Sequence, residues 1–414
     1  MFPTRFQGDD TMPNDQYKDE VIDPGDSASR FAKEICSRSY GNCPAVVVSS
    51  PDSGGFRGMV NFGYNDTLYR EMAHGGLKQT FQNDGAGGKP QFHGLLGEKE
   101  AFRGLGWEIL TMILDDLARS GQFPCVVANQ IDVQGITPEN LSLFNAMMEG
   151  YGQALAQAGV INITGEIAVM KHSITAFCNT GDPAELNLAW SGSCVGLSRE
   201  SMLIDGSAIR PGMPIVGLHE HGYRCNGGTF FTNLLLLLFG NDIVAMRKNP
   251  EAMNFVRKLT APSISYARMI CQAIGWNYDG TENIHAPLHG LIMGIAHITG
   301  GGVWGKFGEL LPEGVGACLN NMPVPPEVLL QAQQMANRTD LYLPDQQAYS
   351  TFHGGCGMMV VCHDDEAAES LLRISRNQNV VASVVGETVE SNKSEIVIHS
   401  RFAEQQLLSS LDME

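Results

Sequence analysis

Apolar residues recur along the chain at spacings that are typical of helices in some segments and of strands in others. Residues 100–119 carry them every three or four positions, which predicts an amphipathic helix with one buried face. A second helix is predicted over 138–158, because Thr137 stands at the cap position and Pro138 in the first turn. Similar patterns predict further helices over 26–39, 229–239, 262–274, 286–297, 327–336 and 364–375.

Short runs rich in apolar and β-branched residues lie between these helices and predict strands. They occupy 45–49, 124–131, 160–163, 186–197, 215–218 and 358–362, and two more short strands are expected near the C-terminus. The turn-rich segment Ile204 to Gly212 separates two such mixtures of helices and strands. We therefore expect two α/β (α+β) domains, over 1–205 and 206–414, packed directly together, and a length of 414 residues agrees with two domains.

The composition argues against some kinds of binding partner and favours one cellular compartment. A net charge of −18 argues against a nucleic-acid partner, because phosphate backbones bind basic faces. The polar N-terminus has no apolar signal core, and the leucine run 234–238 is too short to span a bilayer, so no membrane partner is expected. The ten cysteines contain no CxxC pair, which argues against a zinc ribbon and favours a reduced, cytoplasmic protein.

Glycine is unusually frequent, and several of the 47 glycines are clustered. In the loop from Asp84 to Lys89, Gly85 and Gly87 allow backbone N–H groups to approach phosphate oxygens closely. The aspartate of this loop can hold Mg²⁺, and the lysine can neutralise phosphate charge. The loop is neither a Walker loop nor a Rossmann fingerprint, and an ordinary surface turn is the alternative interpretation.

Carboxylates occupy two further places that suit a metal ion. Asp115 and Asp116 lie within the predicted helix 100–119, where adjacent side chains point about 100° apart, so only one of them can face an apolar core. Glu166 follows the predicted strand 160–163, and an acid at a strand end is well placed to hold a metal ion. A solvated helix face and an ordinary turn are the respective alternatives.

Two motifs contain histidines. His219 and His221 share one face if the chain there is extended, a geometry that can bind zinc, although polar contacts within a loop are the favoured interpretation. From His297 a predicted helix runs into the glycines 300–302, and three consecutive glycines are poor structural filler. That segment is the strongest of these signals, while His297 alone is typical of a satisfied core histidine.

Taken in order, these segments resemble the AIR synthase (phosphoribosylformylglycinamidine cyclo-ligase) family. Asp84 to Lys89 is similar to the family's DGVGTK, and His297 to Gly302 repeats its HITGGG. The other matching segments are Tyr17 to Asp26, Gly54 to Gly58, Asp115 to Leu117 (NDL), Thr164 to Glu166 (GGETAE), Val195 to Leu218, Asn226 to Gly227 (HSNG) and Phe352 to Val360. The resemblance therefore covers nearly the whole chain.

The resemblance implies a two-domain fold whose N-terminal domain forms a β-barrel with its twin in a homodimer. It implies an ATP-dependent enzyme that closes the imidazole ring of a phosphoribosyl amidine, with ATP and Mg²⁺ as cofactors. The implied metal ligands are Asp84, Asp116 and Glu166, and the implied catalytic residues are Lys18, Arg224 and Asn226. The implied nucleotide contacts are Lys18, Gly85, Gly87, Lys89, Asn226, Thr299, Gly300, Gly301 and Gly302.

Three positions depart from the family's motifs. Arg224 stands where the family has a histidine that is often assigned a catalytic role, and arginine cannot act as a base near neutral pH, although it can stabilise phosphate charge. Lys306 replaces an asparagine and Glu309 an arginine. Two alternatives therefore stay open: a related ATP-dependent enzyme that acts on another substrate, and a nucleotide-binding homologue without ring closure.

Overall fold

The structure is a computed structural model, and it describes residues 23–50, 58–62 and 66–413. The predicted site residue Lys18 and the glycines Gly54 and Gly55 lie outside the described residues.

The N-terminal half contains a four-stranded sheet with helices against one of its faces. The elements up to residue 199 are α1 (Pro24–Ser37), β1 (Val46–Ser50), β2 (Met59–Phe62), α2 (Asp66–Ala73), β3 (Leu77–Gly85), α3 (Lys89–Leu96), α4 (Lys99–Leu105), α5 (Glu108–Ala118), β4 (Phe123–Val133), α6 (Leu141–Ala158), β5 (Ile161–Val169) and β6 (Leu188–Arg199). Strands β1 and β2 form a separate antiparallel pair. The four-stranded sheet has the order β3-β6-β4-β5, in which only β4 and β5 are parallel.

The two faces of this sheet differ in exposure. In β6, Trp190, Gly192 and Cys194 are buried, whereas Ser191 and Ser193 between them are exposed, which is the alternation of a strand with one covered face. Phe81 in β3 is on the exposed side, with 73% of its surface accessible. In the chain alone, one face of the sheet is therefore open to solvent.

The C-terminal half is built on a mixed seven-stranded sheet with helices on both sides. Its elements are β7 (Pro214–His219), α7 (Gly228–Phe239), α8 (Ile243–Lys248), α9 (Pro250–Leu259), α10 (Ala267–Ile274), β8 (Ile292–His297), α11 (Gly302–Gly308), β9 (Val315–Leu319), α12 (Glu327–Ala336), α13 (Asp345–Thr351), β10 (Cys356–Cys362), α14 (Asp365–Asn377), β11 (Ala382–Glu390), β12 (Ile396–His399) and β13 (Leu407–Ser409). The strand order is β13-β12-β9-β11-β7-β10-β8. None of the helices in the described part of the chain is both long and apolar enough to cross a bilayer.

The two halves share a hydrophobic core. Ile113 of α5 lies in the same cluster of buried side chains as Ile270 of α10, Met358 of β10 and Leu371 of α14. A second cluster lies on the other side of the seven-stranded sheet, among α7, α9, α11, α12 and α13. Helix α5 of the N-terminal half is therefore packed on elements that occur far later in the sequence.

Most predicted elements are confirmed, but two predicted helices differ in their bounds. The helix predicted over 100–119 is two helices, α4 and α5, separated at Gly106 and Trp107. A Cβ atom at Gly106 would lie 2.3 Å from the backbone nitrogen of Tyr151, so the glycine allows the chain to approach α6 closely where the helix breaks. The helix predicted over 262–274 begins only at Ala267.

The prediction of a helix over 286–297 is wrong. Residues Ile292–His297 form β8, which pairs antiparallel with β10 at an edge of the seven-stranded sheet. Gly290, with a φ of +69°, turns the chain immediately before this strand. The helix-like spacing of Leu288, Ile292 and Ile295 is overridden by pairing with a strand more than 60 residues away.

Two buried histidines make the stability of the fold depend on pH. Burial lowers the pKa of His93 and of His353 to about 4 in each case. His353 Nε2 donates to the carbonyl of Gly222 at 2.9 Å, while Nδ1 accepts from the N–H of Gly355 at 3.1 Å, so a proton added at Nδ1 would break the bond with Gly355.

Stability should fall as the pH falls from about 6.5 to about 4, because only the unfolded chain binds these two protons readily. The expected loss is about 3 kcal/mol for each histidine at the low end of that window. Urea denaturation of the wild type and of His353→Gln at pH 7 and pH 4.5 measures it. The variant should lose less stability over this interval, and an identical loss in both proteins would contradict the assignment to His353.

Candidate functional site

Three glycine-containing segments, which the sequence singles out separately, meet in the structure. A Cβ atom at Gly88 would lie 3.2 Å from the Cα of Gly228, and one at Gly87 would lie 2.5 Å from the carbonyl oxygen of Cys225. A Cβ atom at Gly300 would lie 3.4 Å from Oδ1 of Asn226. The contact at Gly87 leaves no room for a side chain, and those at Gly88 are tighter than ordinary van der Waals contact. The predicted nucleotide contacts Gly87, Asn226 and Gly300 are therefore brought together.

Each of these segments leads directly into a helix. Gly88 precedes α3, Gly227 precedes α7, and Gly301 precedes α11. Gly227 and Gly301 have φ values of +92° and +93°, a left-handed conformation that favours glycine. The first N–H groups of α3 and α7 have no partner within their own helix, and a helix N-terminus favours negative charge.

Two of the predicted metal ligands lie beside this meeting point. Asp84 is at the end of β3, Asp116 is in the last turn of α5, and the charge of Asp116 contributes to raising the pKa of Asp84. Burial raises the pKa of Asp84, against a hydrogen bond from the backbone N–H of Gly85 at 2.7 Å. Two half-buried carboxylates at one place are a site for a cation.

Burial alone would raise the pKa of Asp116, but contacts with cations and donors hold it below its usual range. The strongest of these is His297, whose Nδ1 lies 2.8 Å from Oδ1 of Asp116, and Arg119 and Lys306 add positive charge. Gln82 Nε2 donates to the other oxygen, Oδ2, at 2.6 Å. Asp116 is therefore kept ionised and is held at both oxygens.

Arg224 is buried completely and does not reach a surface from which it could touch a ligand. Its Nη1 donates to Glu220 Oε2 at 2.6 Å and to the carbonyl of Ile264 at 3.0 Å. Its Nη2 lies 3.0 Å from Oδ2 of Asp115 and 2.8 Å from Nε2 of His297. The structure therefore places this predicted catalytic residue behind the site rather than in it.

The carboxylates of Asp115 and Glu220 also accept hydrogen bonds from the backbone at and just before the start of α10. Asp115 Oδ1 accepts from the backbone N–H groups of Tyr266 and Ala267 at 2.8 Å, and Glu220 Oε2 accepts from that of Ile264 at 3.2 Å. Because these acceptors take the N–H groups, the segment before Ala267 does not need to be helical. This explains why α10 begins later than the sequence pattern predicts.

Lys89 lies in a second buried cluster. Its Nζ donates to Glu108 Oε1 at 2.8 Å, to the carbonyl of Ala261 at 2.6 Å and to Ser263 Oγ at 3.3 Å. An ammonium group has three hydrogens, so none is left for a phosphate, and the side chain has no exposed surface. Lys89 links the two halves and is not among the phosphate-binding residues that we propose below.

Glu166 does not join the other two acids within one chain. It lies inside β5, which continues to Val169 rather than ending at residue 163 as predicted. Glu166 pairs in register with Gln130 on the exposed face of the sheet, whereas Asp84 pairs with Gly192 on the covered face. Three strand spacings, roughly 14 Å, separate β3 from β5. Glu166 is also among the residues that line a cavity of about 430 Å³ at the β5 edge of the sheet, next to α1.

Two of the departures, Lys306 in α11 and Glu309 just after it, form an ion pair. Lys306 Nζ lies 3.6 Å from Oε2 of Glu309, and Lys306 also acts on Asp116 together with Arg119, whose Nε lies 3.4 Å from Oδ1. Arg119 and Gln82 lie outside the motifs of the sequence. Arg119 stands one helical turn after Asp116, which is a signal that the sequence contains.

His219 and His221, the two histidines that the sequence offers as a possible zinc site, lie outside this site. His219 Nε2 contacts Ser383 Oγ at 2.9 Å, and burial, followed by the neighbouring His221, lowers the pKa of His219. Among the residues that the structure describes, no three His, Cys, Asp or Glu side chains are arranged to hold a metal ion.

Family models match both halves of the chain. The model of the AIR synthase related protein, N-terminal domain, matches residues 66–196, and that of the AIR synthase related protein, C-terminal domain, matches residues 279–399.

Curated relatives match over most of their length. The phosphoribosylformylglycinamidine cyclo-ligase of Geobacter sulfurreducens is 27% identical over 374 residues, covering 90% of this chain and 94% of its own. That of Acetivibrio thermocellus is 26% identical over 386 residues, covering 91% of this chain and 98% of its own.

Among solved structures, the hydrogenase maturation protein HypE in complex with ATP is similar, with a TM-score of 0.53 and 14% identity. The match covers 92% of this chain and 93% of that one. E. coli HypE has a TM-score of 0.52, 15% identity and coverage of 92% and 96%.

Proposed function

Because the chain belongs to the AIR synthase related family, of which it is a divergent member, we propose that it is an ATP-dependent cyclo-ligase. Its substrate would be formylglycinamidine ribonucleotide, and its products aminoimidazole ribonucleotide, ADP and phosphate. The observation that carries this proposal is the meeting of Asp84 and Asp116 with the three glycine-containing segments in one place. The curated cyclo-ligases supply the substrate class.

The proposed reaction has two steps. The γ-phosphate of ATP is transferred to the amide oxygen of the substrate, which turns a poor leaving group into a good one. The neighbouring amidine nitrogen then attacks the same carbon, phosphate departs and the ring closes. Positioning of the phosphates and stabilisation of their charge supply most of the catalysis in such a transfer.

The residues present fit a magnesium ion, because Mg²⁺ is commonly held by one or two carboxylates and by substrate phosphates. Asp84 and Asp116 would hold it, and bound Mg²⁺ offsets the negative charge of the phosphates. Asp116 is suited to this by its retained charge and by its fixed orientation between His297 and Gln82. Asp84 is suited by its place at the end of β3, next to the glycine loop.

The proposed nucleotide contacts are backbone groups and one amide side chain. Gly85 ends β3 and Gly87 follows it in the loop before α3, whereas Thr299, Gly300 and Gly301 precede Gly302, the first residue of α11. Asn226 lies between the two loops and touches the second. Gly87, Gly300 and Gly301 have no Cβ atom that would keep phosphate oxygens away from their N–H groups.

We further propose a cytoplasmic homodimer formed through the exposed face of the N-terminal sheet. Phe81 is on that face, and a second copy would remove it from water and close the sheet towards the barrel that the resemblance implies. Glu166 faces the same way, so any role in metal or phosphate binding belongs to this interface rather than to the site of a single chain. The boundary between the two domains is proposed at residues 205 and 206.

A second candidate is favoured by the departures from the family's motifs. Arg224 replaces a histidine, and the Lys306–Glu309 pair replaces an asparagine and an arginine in the helix after the glycines. A substrate with a different amide or acid would then react at the same ATP-binding residues, while the residues at the departing positions would differ from those of the cyclo-ligases. A homologue that binds nucleotide without chemistry is the third possibility, and the retained acids Asp84 and Asp116 argue against it.

One assay separates the three. Purified protein with ATP, Mg²⁺ and formylglycinamidine ribonucleotide should release ADP and form the ring product in equal amounts. ATP binding without ring product would exclude the cyclo-ligase, and ADP release with another amide or acid would identify the second candidate. Absence of turnover with every substrate, in a protein that binds ATP, would leave the non-catalytic homologue.

A further inference from the structure

The buried guanidinium of Arg224 uses four of its five N–H groups, on acceptors from both halves of the chain. Arg224 also has a φ of +60°, a left-handed conformation that is uncommon for residues other than glycine. Such strain persists where the surroundings over-determine a residue, and it clusters at functional sites. Since Arg224 cannot touch a ligand, its effect on the site must pass through one of its partners.

His297 is the partner that leads to the site. The Nη2 group of Arg224 has only hydrogens to offer, so Nε2 of His297 must accept at their 2.8 Å contact. The neutral imidazole then carries its hydrogen on Nδ1, which donates to Oδ1 of Asp116 at 2.8 Å. The arginine thereby selects the tautomer, and the tautomer supplies the hydrogen bond that Asp116 receives.

The other end of this chain of contacts is also fixed. Gln82 donates to Oδ2 of Asp116, so the carboxylate is held at both oxygens and its plane is set by two side chains. Each carboxylate oxygen retains a further lone pair for a cation. Without the bond from His297, the Asp116 carboxylate would be free to rotate towards Arg119, whose Nε lies 3.4 Å from Oδ1.

We propose that Arg224 is a positioning residue of the Mg·ATP site: by fixing His297 with its hydrogen on Nδ1, it holds the Asp116 carboxylate in the orientation that binds the metal. This inference rests on the proposed function. Arg224 stands where the family has a histidine, but it cannot contact substrate itself, because its side chain is buried among Glu220, Asp115 and His297. Outer residues that orient a ligand typically change metal affinity by about 10–100-fold when they are removed.

The first measurement needs neither metal nor nucleotide. In protein labelled with ¹⁵N-histidine, the His297 signal, identified by its loss in His297→Asn, reports which ring nitrogen carries the hydrogen. The wild type should show hydrogen on Nδ1, and Arg224→Lys should show a mixture of tautomers, because one ammonium cannot reach all four acceptors. Hydrogen on Nε2 in the wild type would overturn the inference.

The second measurement is the affinity for Mn²⁺·ADP, with Arg199→Lys as the matched control. Arg199 is a buried arginine that is paired with Glu71 outside the site. Arg224→Lys should weaken binding by about 10–100-fold, whereas Arg199→Lys should not. His297→Asn keeps a donor for Asp116 in place of Nδ1, so Arg224→Lys should cause little further loss in that background.

The outcomes distinguish the two proposals. If the wild type does not bind Mn²⁺·ADP, the proposed function fails. If it binds but Arg224→Lys equals Arg199→Lys, or loses as much affinity with His297→Asn as without it, only the positioning role fails. Should Arg224→Lys not fold, His297→Leu removes the donor to Asp116 while the contacts of Arg224 with Glu220 and Asp115 remain. His297→Leu must then weaken the binding of Mn²⁺·ADP by the same factor of about 10–100.

Discussion

Replacing Asp84 by asparagine should lower ATP turnover by about 10²–10³-fold, because a group aimed at the charge of a reacting phosphate is worth that much in a preorganised site. The change should not lower the stability of the fold. Asparagine keeps an oxygen for the N–H of Gly85, which now bonds Oδ1 of Asp84 at 2.7 Å. It also removes a half-buried negative charge close to Asp116.

The pKa of Asp84 predicts the direction in which Asp84→Asn changes the stability of the fold. Burial raises the folded-state pKa of Asp84 above its value in the unfolded chain. Stability from this group is therefore present at low pH and lost as the pH rises through the folded-state pKa, so the wild type carries the penalty at neutral pH. At pH 7 the melting temperature of Asp84→Asn should equal or exceed that of the wild type.

A matched control is Asp182→Asn, in an exposed loop where Oδ1 accepts from the N–H of Ala184. It should change neither turnover nor melting temperature. Full turnover in Asp84→Asn would refute the metal assignment of Asp84. A loss of turnover accompanied by a large loss of stability would show that the residue acts on the fold instead.

Replacing Lys89 by methionine should lower the free energy of unfolding by about 3–5 kcal/mol, because the change leaves a fully buried carboxylate without its cation. The Lys89–Glu108 contact of 2.8 Å has no exposed side-chain surface on either partner. Burial alone would raise the pKa of Glu108, but Lys89 and the hydroxyl of Ser263 hold it below its usual range. Urea denaturation measures the effect.

The double variant Lys89→Met with Glu108→Gln is the control. It removes both charges and keeps an oxygen for the N–H of Ser263, which now bonds Glu108 Oε1 at 2.9 Å. It should recover much of the lost stability, since a buried pair contributes far less than the cost of breaking it. A double variant as unstable as the sum of its single changes would contradict a pairwise role for Lys89.

The elements that the sequence predicts well are those whose signal is local. Helix α12 has the predicted bounds 327–336, and α1, α6, α7 and α14 lie within a few residues of theirs. These helices carry their apolar spacing within one segment, and proline or glycine marks one end of several. The mixed α/β fold and the family are confirmed for the same reason, because ordered motifs survive at 27% identity.

The parts that the sequence could not supply depend on distant partners. Lys89 looks like a phosphate-binding residue by its motif, but its acceptors include Ala261 and Ser263, more than 170 residues away. The face on which Glu166 lies is decided by the register of β5 against β4, which no local pattern contains. The buried place of Arg224 likewise depends on Asp115 and His297, at separations of 109 and 73 residues.

The shared core also has a consequence for the order in which the chain is made. Helix α5 leaves the ribosome before α10, β10 and α14, the elements that cover it in the folded protein. At about 5–20 residues per second, synthesis from residue 199 to residue 371 takes on the order of 10–30 seconds. During that interval the apolar face of α5 and the carboxylate of Asp115 lack the later residues that contact them in the folded protein. The N-terminal half of this nascent chain therefore keeps an apolar surface exposed until its C-terminal half emerges.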